Sequence, residues 1–213
     1  MKPHPKFFYQ GPQRDYLRCQ HCGLIFVPED ELLSPKAEKA RYDLHENDAA
    51  NRGYRKFLQQ LTQPLIAHMG PPPQHGLDFG SGPGPVLAQM LKTRGYTLSL
   101  YDPFYAPDQK VLDRTYDFVT CTEVMEHFYQ PAKEWEWLLN CLKPGGWLGI
   151  MTKLIDDLSI FPDMHYITDD THVSFFSRQT FKFLTKRDGL DIKFFGDNTI
   201  LIHKPLPHRE PGA

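Results

Sequence analysis

The sequence predicts an α/β fold: a mostly parallel, doubly wound sheet ending in an antiparallel hairpin, preceded by a segment with a Cys-x-x-Cys pair and two helices. Three observations predict it. Short β-type runs alternate with helical ones after the proline triplet at 71–73, and a glycine-rich loop directly follows the first of those runs. The last two runs stand too close together to hold a crossover helix. The triplet marks the internal boundary, dividing an N-terminal segment of residues 1–70 from a main domain of residues 71–213.

Before that boundary there is little strand alternation. Residues 32–41 and 54–69 carry helical spacing, the second with Tyr54, Phe57, Leu58, Leu61, Leu65 and Met69 on one face, so both are expected to pack against another element. After it, residues 76–79, 97–101, 117–121 and 147–152 read as strands, and 86–94, 132–142 and 177–188 as helices. Such alternation implies right-handed βαβ units. Residues 190–195 and 199–203 then form a hairpin near a sheet edge, with Asp197 and Asn198 in its turn.

Composition excludes several classes. Hydrophobic residues make up 40% of the 213 and charged residues 23%, an ordinary globular balance. A net charge of −2 and the lack of basic runs make nucleic acid an unlikely partner and a small-molecule acceptor the expected one. No apolar stretch approaches the roughly 20 residues of a membrane span, and the N-terminus lacks the apolar core of a secretory signal, so a cytoplasmic protein is expected. Four cysteines are too few for a disulfide scaffold, and Cys121 and Cys141 sit in apolar segments where a thiol behaves as a small hydrophobe.

In an open α/β sheet ligands bind beyond the C-terminal strand ends. The first such loop, LDFGSGPGP over 77–85, has glycines at 80, 82 and 84, which let a cofactor approach the backbone. Pro85 stands where a dinucleotide fingerprint needs its third glycine, so hydride chemistry is disfavoured. Asp102, ending the next strand, is the kind of carboxylate that grips ribose hydroxyls. After the strand ending near Cys121, a helical turn starting at Thr122 would put Glu123, Glu126 and His127 on one face, able to hold a divalent cation. Alternatively, the two carboxylates favour a helix N-terminus and the histidine packs against the sheet.

LDFGSGPG, Asp102, YDFVTCTEVMEHF and LKPGGWLGIMTK, in that order, resemble the class I S-adenosylmethionine-dependent methyltransferases, which have a Rossmann-like fold; the likeness covers most of residues 75–203. It implies that Asp78, Gly80, Ser81, Gly82, Gly84, Asp102, Thr122 and Glu123 bind S-adenosylmethionine. The Glu-Val-x-Glu-His run is similar to that of ubiquinone-biosynthesis O-methyltransferases and small-RNA 2′-O-methyltransferases, which implies a divalent cation (Mg, Mn or Zn) at Glu123, Glu126, His127 and the distant His172. His127 or His172 is the catalytic base if no metal binds. One departure stands out: the stretch between Asp102 and Asp117 is too short for the helix and strand that usually carry the adenine-side acid, and Asp113 is the residue there that could replace it.

Cys19 and Cys22 form the tight turn of a zinc knuckle, with His4, His21 and His45 as nearby candidates to complete a structural zinc site; the other reading is a relic ribbon whose thiols simply pack. Tyr42, His45 and Asn47 are expected either in a lid over the substrate or at helix caps, and His165 and Tyr166 either in the pocket wall or in loop packing. Trp147 is expected in the core. The expected activity is methylation of an oxygen on a small hydroxylated molecule; an RNA-modifying enzyme and a noncatalytic binding module are the alternatives.

Overall fold

The computed structural model describes residues 5–44 and 50–207. Its centre is a six-stranded sheet of β4 (His75–Phe79), β5 (Thr97–Tyr101), β6 (Tyr116–Thr122), β7 (Leu142–Met151), β9 (Asp191–Phe195) and β10 (Thr199–His203), ordered β5-β4-β6-β7-β10-β9. β5, β4, β6 and β7 run parallel, and β10 is antiparallel to both β7 and β9. The hairpin thus closes one edge as expected, with Gly196 left-handed at φ 66° in its turn.

Strand alternation serves both faces. Leu77, Val119, Cys121, Ile150 and Ile202 meet Trp135 and Leu138 of α4 (Pro131–Asn140) and Phe181 of α5 (Arg178–Asp188). Phe118, Met151 and Leu201 point the other way, onto α2 (Arg52–Met69) and α3 (Val86–Lys92). Leu58, Leu61, Leu65 and Met69 of α2, all on the face expected from sequence, fill that second core. α2 lies close to the sheet because Gly149 has no side chain: a Cβ there would sit 3.0 Å from Leu61 Cδ1. The hydrophobic core therefore runs across the proline triplet. Side-chain caps fix the helix starts, Asn51 Oδ1 accepting from the Tyr54 amide and Ser177 Oγ from the Thr180 amide.

The N-terminal segment departs from expectation. Where little strand character is legible, the chain forms β1 (Lys6–Gln10), β2 (Asp15–Arg18) and β3 (Ile25–Phe26), which with the distant β8 (Ser174–Phe175) make an antiparallel sheet ordered β1-β2-β3-β8. The strands are too short to display alternation, and β3 finds its partner about 150 residues away. Tyr16, Ile25, Val27, Phe161, Val173 and Phe175 give this ribbon its own core. A short helix, α1 (Pro35–Tyr42), capped by Ser34, follows it. Trp147 lies at the sheet against His68 and His203, with ring centroids 5.0 and 4.7 Å apart. Among the described residues no helix is long and apolar enough to cross a membrane.

Leu65 is fully buried between helix and sheet. Leu65→Ala is expected to lower unfolding free energy by about 2–5 kcal/mol in urea titration, since the sheet cannot collapse into the space left.

Candidate active site

Parallel neighbours β4 and β6 end at the same sheet edge, and both chains turn sharply there. After β4, Gly80 adopts φ 75° and Gly82 φ 61°. After β6, Glu123 takes the same left-handed conformation at φ 55°, the one described non-glycine residue to do so. The two turns touch: a Cβ on Gly80 would lie 2.3 Å from Val124 Cγ2, a distance real atoms do not allow. Between them and α1 opens a cavity of about 720 Å³.

Its wall holds each residue the sequence assigned to a cofactor: Asp78, Gly80, Ser81, Gly82, Gly84, Asp102, Thr122 and Glu123. Asp102 is nearly buried, one carboxylate oxygen accepting from the Gly82 amide at 2.9 Å and the other from the Phe104 and Tyr105 amides at 2.8 and 3.0 Å. Backbone donors thus hold it in a single orientation with acceptor capacity left over. Ser81 Oγ and Thr122 Oγ1 are buried without a hydrogen-bond partner. Orphaned hydroxyls in a cavity wall are what a polar ligand would satisfy. Asp113, by contrast, is exposed and does not line the cavity; Glu134 on α4 does, its carboxyl pushed up to about 7 mainly by burial.

At the inner end, the single helical face expected for Glu123, Glu126 and His127 does not form. The turn is a tight 3-10 one over Met125–His127, and Glu123 lies before it in the left-handed region. The gathered donors are Glu126, His127 and His172, whose ligand atoms lie within 4.8 Å of one another; Glu123 falls outside the group, which corrects the expected four-donor set. His172 nonetheless reaches the site across about 45 residues.

Both histidines point one ring nitrogen at a backbone carbonyl: His127 Nδ1 lies 2.9 Å from Thr171 O, and His172 Nδ1 2.8 Å from Tyr166 O. A carbonyl partner of this kind sets the orientation and the tautomer of an imidazole. Burial, then the neighbouring His127, lowers the His172 pKa, so its ring is neutral near pH 7. Glu126 is 1% exposed; burial raises its pKa, against His172 and the Thr152 hydroxyl, whose Oγ1 donates to Oε2 at 3.0 Å. Glu123 is pushed up to about 8 by burial and by Glu126. Tyr166 packs on His172 with ring centroids 4.2 Å apart and the planes tilted by 44°.

α1 covers the cavity. Tyr42 packs on Phe104 and His127 with centroids 5.8 and 5.2 Å apart, and its hydroxyl donates to the buried Glu38 at 2.7 Å; Tyr105 donates to Asp43 at the same distance. His45 and Asn47 lie outside the described residues. Sequence reasoning missed Glu38 and Glu134, which carry no local motif; helical periodicity puts each on a helix but says nothing of what that helix covers.

A family model described as a methyltransferase domain matches residues 50–193. The chain belongs to this methyltransferase family. No curated protein sequence matches it. Among solved structures, an O-methyltransferase family protein from Burkholderia thailandensis is similar at TM-score 0.51 and 17% identity, over 79% of this chain and 63% of that one. The chain thus spans less than two thirds of that relative. A 1,6-didemethyltoxoflavin-N1-methyltransferase from the same organism, solved with S-adenosylhomocysteine, is similar at TM-score 0.53 and 16% identity over 94% and 99% of the two chains. A complex of the Haloferax volcanii Trm112 methyltransferase activator with a methyltransferase gives TM-score 0.55 and 14% identity over 79% and 97%. At such identities the likeness is one of fold.

The Cys-x-x-Cys pair occupies the β2–β3 turn, far in sequence from these donors. Burial works to raise the Cys19 thiol, but the amides of Cys22, His21 and Gly23 outweigh it and lower its pKa; burial raises Cys22 to about 11. Among the described residues no third metal donor joins them, His21 being exposed. His4 and His45 lie outside the described residues.

Asp78, 4% exposed and accepting from Thr120 Oγ1 at 2.7 Å, is raised from 3.8 to about 6 by burial. Its contribution to stability is fully present below pH 4 and lost as pH rises through 6, because the folded state holds the proton longer than the unfolded chain. Asp78→Asn keeps the Thr120 bond and removes the titration. Urea unfolding should give equal stabilities near pH 4 and a variant more stable by on the order of 2–3 kcal/mol at pH 8.

Proposed function

We propose that this chain is an S-adenosylmethionine-dependent methyltransferase acting on an oxygen of a small, hydroxylated acceptor, with a divalent cation held by Glu126, His127 and His172. The observation that carries the reading is continuity: one cavity joins the glycine loop, with its unpartnered Ser81 and Thr122 hydroxyls, to the two-histidine, one-carboxylate group. S-adenosylmethionine supplies an electrophilic methyl on a sulfonium. Gly80 and Gly82 offer backbone without obstruction, Asp102 takes the ribose diol, and Ser81 and Thr122 gain the partners they lack.

The wall chemistry suits this cargo. Glu38, Asp78, Asp102, Glu123, Glu126 and Glu134 line the cavity, and no described Lys or Arg does. A cationic sulfonium is favoured there, whereas a polyanionic acceptor would face these acidic side chains with no lining Lys or Arg to pair with it. The same balance argues for a small neutral acceptor over RNA.

Two imidazoles and a carboxylate suit a first-row divalent cation, and the carbonyl partners on both Nδ1 atoms fix the ring orientations. A divalent cation supplies Lewis acidity that lowers the pKa of an acceptor hydroxyl and fixes its direction. The chain's own part is positioning: Tyr42 and α1 cover the site against water, and Tyr166 packs on His172 to fix its ring.

Calorimetry with S-adenosylhomocysteine should give one site per chain, abolished by Gly82→Arg; no heat at millimolar ligand would sink the cofactor assignment. Co²⁺ titration followed by visible absorbance should saturate at one ion, weaken below about pH 6 as the histidines protonate, and be lost in His172→Ala while S-adenosylhomocysteine affinity stays intact. Turnover unchanged by exhaustive chelation would replace the cation with a histidine general base.

A further inference from the structure

The three metal donors come from a turn and a loop without regular secondary structure, so something must hold that loop in register. Residues 169–173 bear on all three. His172 is among them; the Thr171 carbonyl orients His127; and the Val173 amide donates to the Glu126 carbonyl at 2.7 Å. One guanidinium grips the backbone of this loop from outside the main domain. Arg14, in the turn between β1 and β2, donates from Nη1 to Asp170 O at 2.8 Å and from Nη2 to Asp169 O at 2.6 Å, His172 O at 2.7 Å and Ile167 O at 3.3 Å. Its Nε donates to the Tyr16 hydroxyl at 3.1 Å, and that hydroxyl donates in turn to Ile167 O at 3.1 Å.

We propose that Arg14 is a positioning residue for the metal centre, and that the N-terminal ribbon serves to deliver its guanidinium to the loop bearing His172. The proposal rests on the metal reading above. Four carbonyls converging on one planar, five-donor head is a demand only arginine meets; a lysine ammonium is a single point with three donors. The turn that presents Arg14 is tight, the Gly11 amide donating to Arg14 O at 3.0 Å, and a Cβ on Gly11 would come within 2.9 Å of that oxygen. The ribbon is tied to the same loop on its other side, where β3 pairs with β8 directly after Val173. Arg14 touches no donor atom of the three ligands, so it acts through the backbone of the loop.

The test compares wild type with Arg14→Met in the full chain, by hydrogen exchange of the amides in 167–173, Co²⁺ titration and S-adenosylhomocysteine calorimetry. The clamp predicts faster exchange confined to 167–173, Co²⁺ affinity lower by about 10- to 100-fold, the range seen for outer-shell partners, and unchanged S-adenosylhomocysteine affinity. Arg14→Lys, which keeps charge and stem, should show the same split and serves if Arg14→Met does not fold. Wild-type exchange in 167–173, or faster exchange with wild-type Co²⁺ affinity, overturns the proposal. A uniform rise in exchange across β6 and β7 also overturns it, marking Arg14 as a general stabiliser. If wild type itself takes up no Co²⁺, the metal reading fails, and the exchange pattern alone decides whether Arg14 orders the loop.

Discussion

The contact between Gly80 and Val124 is the constraint on which the site depends. Parallel pairing of β4 with β6 brings two strand ends to one edge, and both chains must turn without colliding. They do so only because one side of the contact has no side chain: 2.3 Å from a Cβ position to a methyl leaves room for hydrogen alone. Beside this contact Glu123 is left-handed, a conformation costing a non-glycine residue about 1 kcal/mol or more and persisting only where the surroundings over-determine it. The glycine loop and the donor turn are thus one packed unit.

Burial of carboxylates is the second organising feature. Asp78, Glu126 and Glu134 sit in or beside the cavity with pKa values raised chiefly by desolvation, and Glu123 is raised further by Glu126. Such groups lower the stability of the free protein near neutral pH and regain it when a cation arrives. A wall of this kind is complementary to positive charge. Asp102 is held by three backbone amides, those of Gly82, Phe104 and Tyr105.

The N-terminal ribbon and α1 approach the site from opposite purposes. α1 covers the cavity through Tyr42 and Glu38, while the ribbon reaches past it through Arg14 and Tyr16 to the loop carrying His172. The Arg41–Asp170 ion pair, 2.7 Å long and largely exposed, links α1 to that same loop and adds little stability by itself.

Sequence by itself determined the α/β alternation, the edge hairpin, the α2 face from Leu58 to Met69 and the glycine loop with Asp102. These are legible because each is local: a period of two or 3.6, a turn residue, a glycine after a strand. The short stretch between β5 and β6 was legible too, as arithmetic on chain length. Tertiary structure alone decided the rest. It left Glu123, in the left-handed region before the turn, outside the group of Glu126, His127 and His172, and it placed Glu134, not Asp113, on the cavity wall. It built a sheet from β1, β2, β3 and β8 and aimed Arg14 at carbonyls more than 150 residues away. A guanidinium's partners are backbone oxygens, which every residue carries, so no pattern of side chains along the sequence could have announced them.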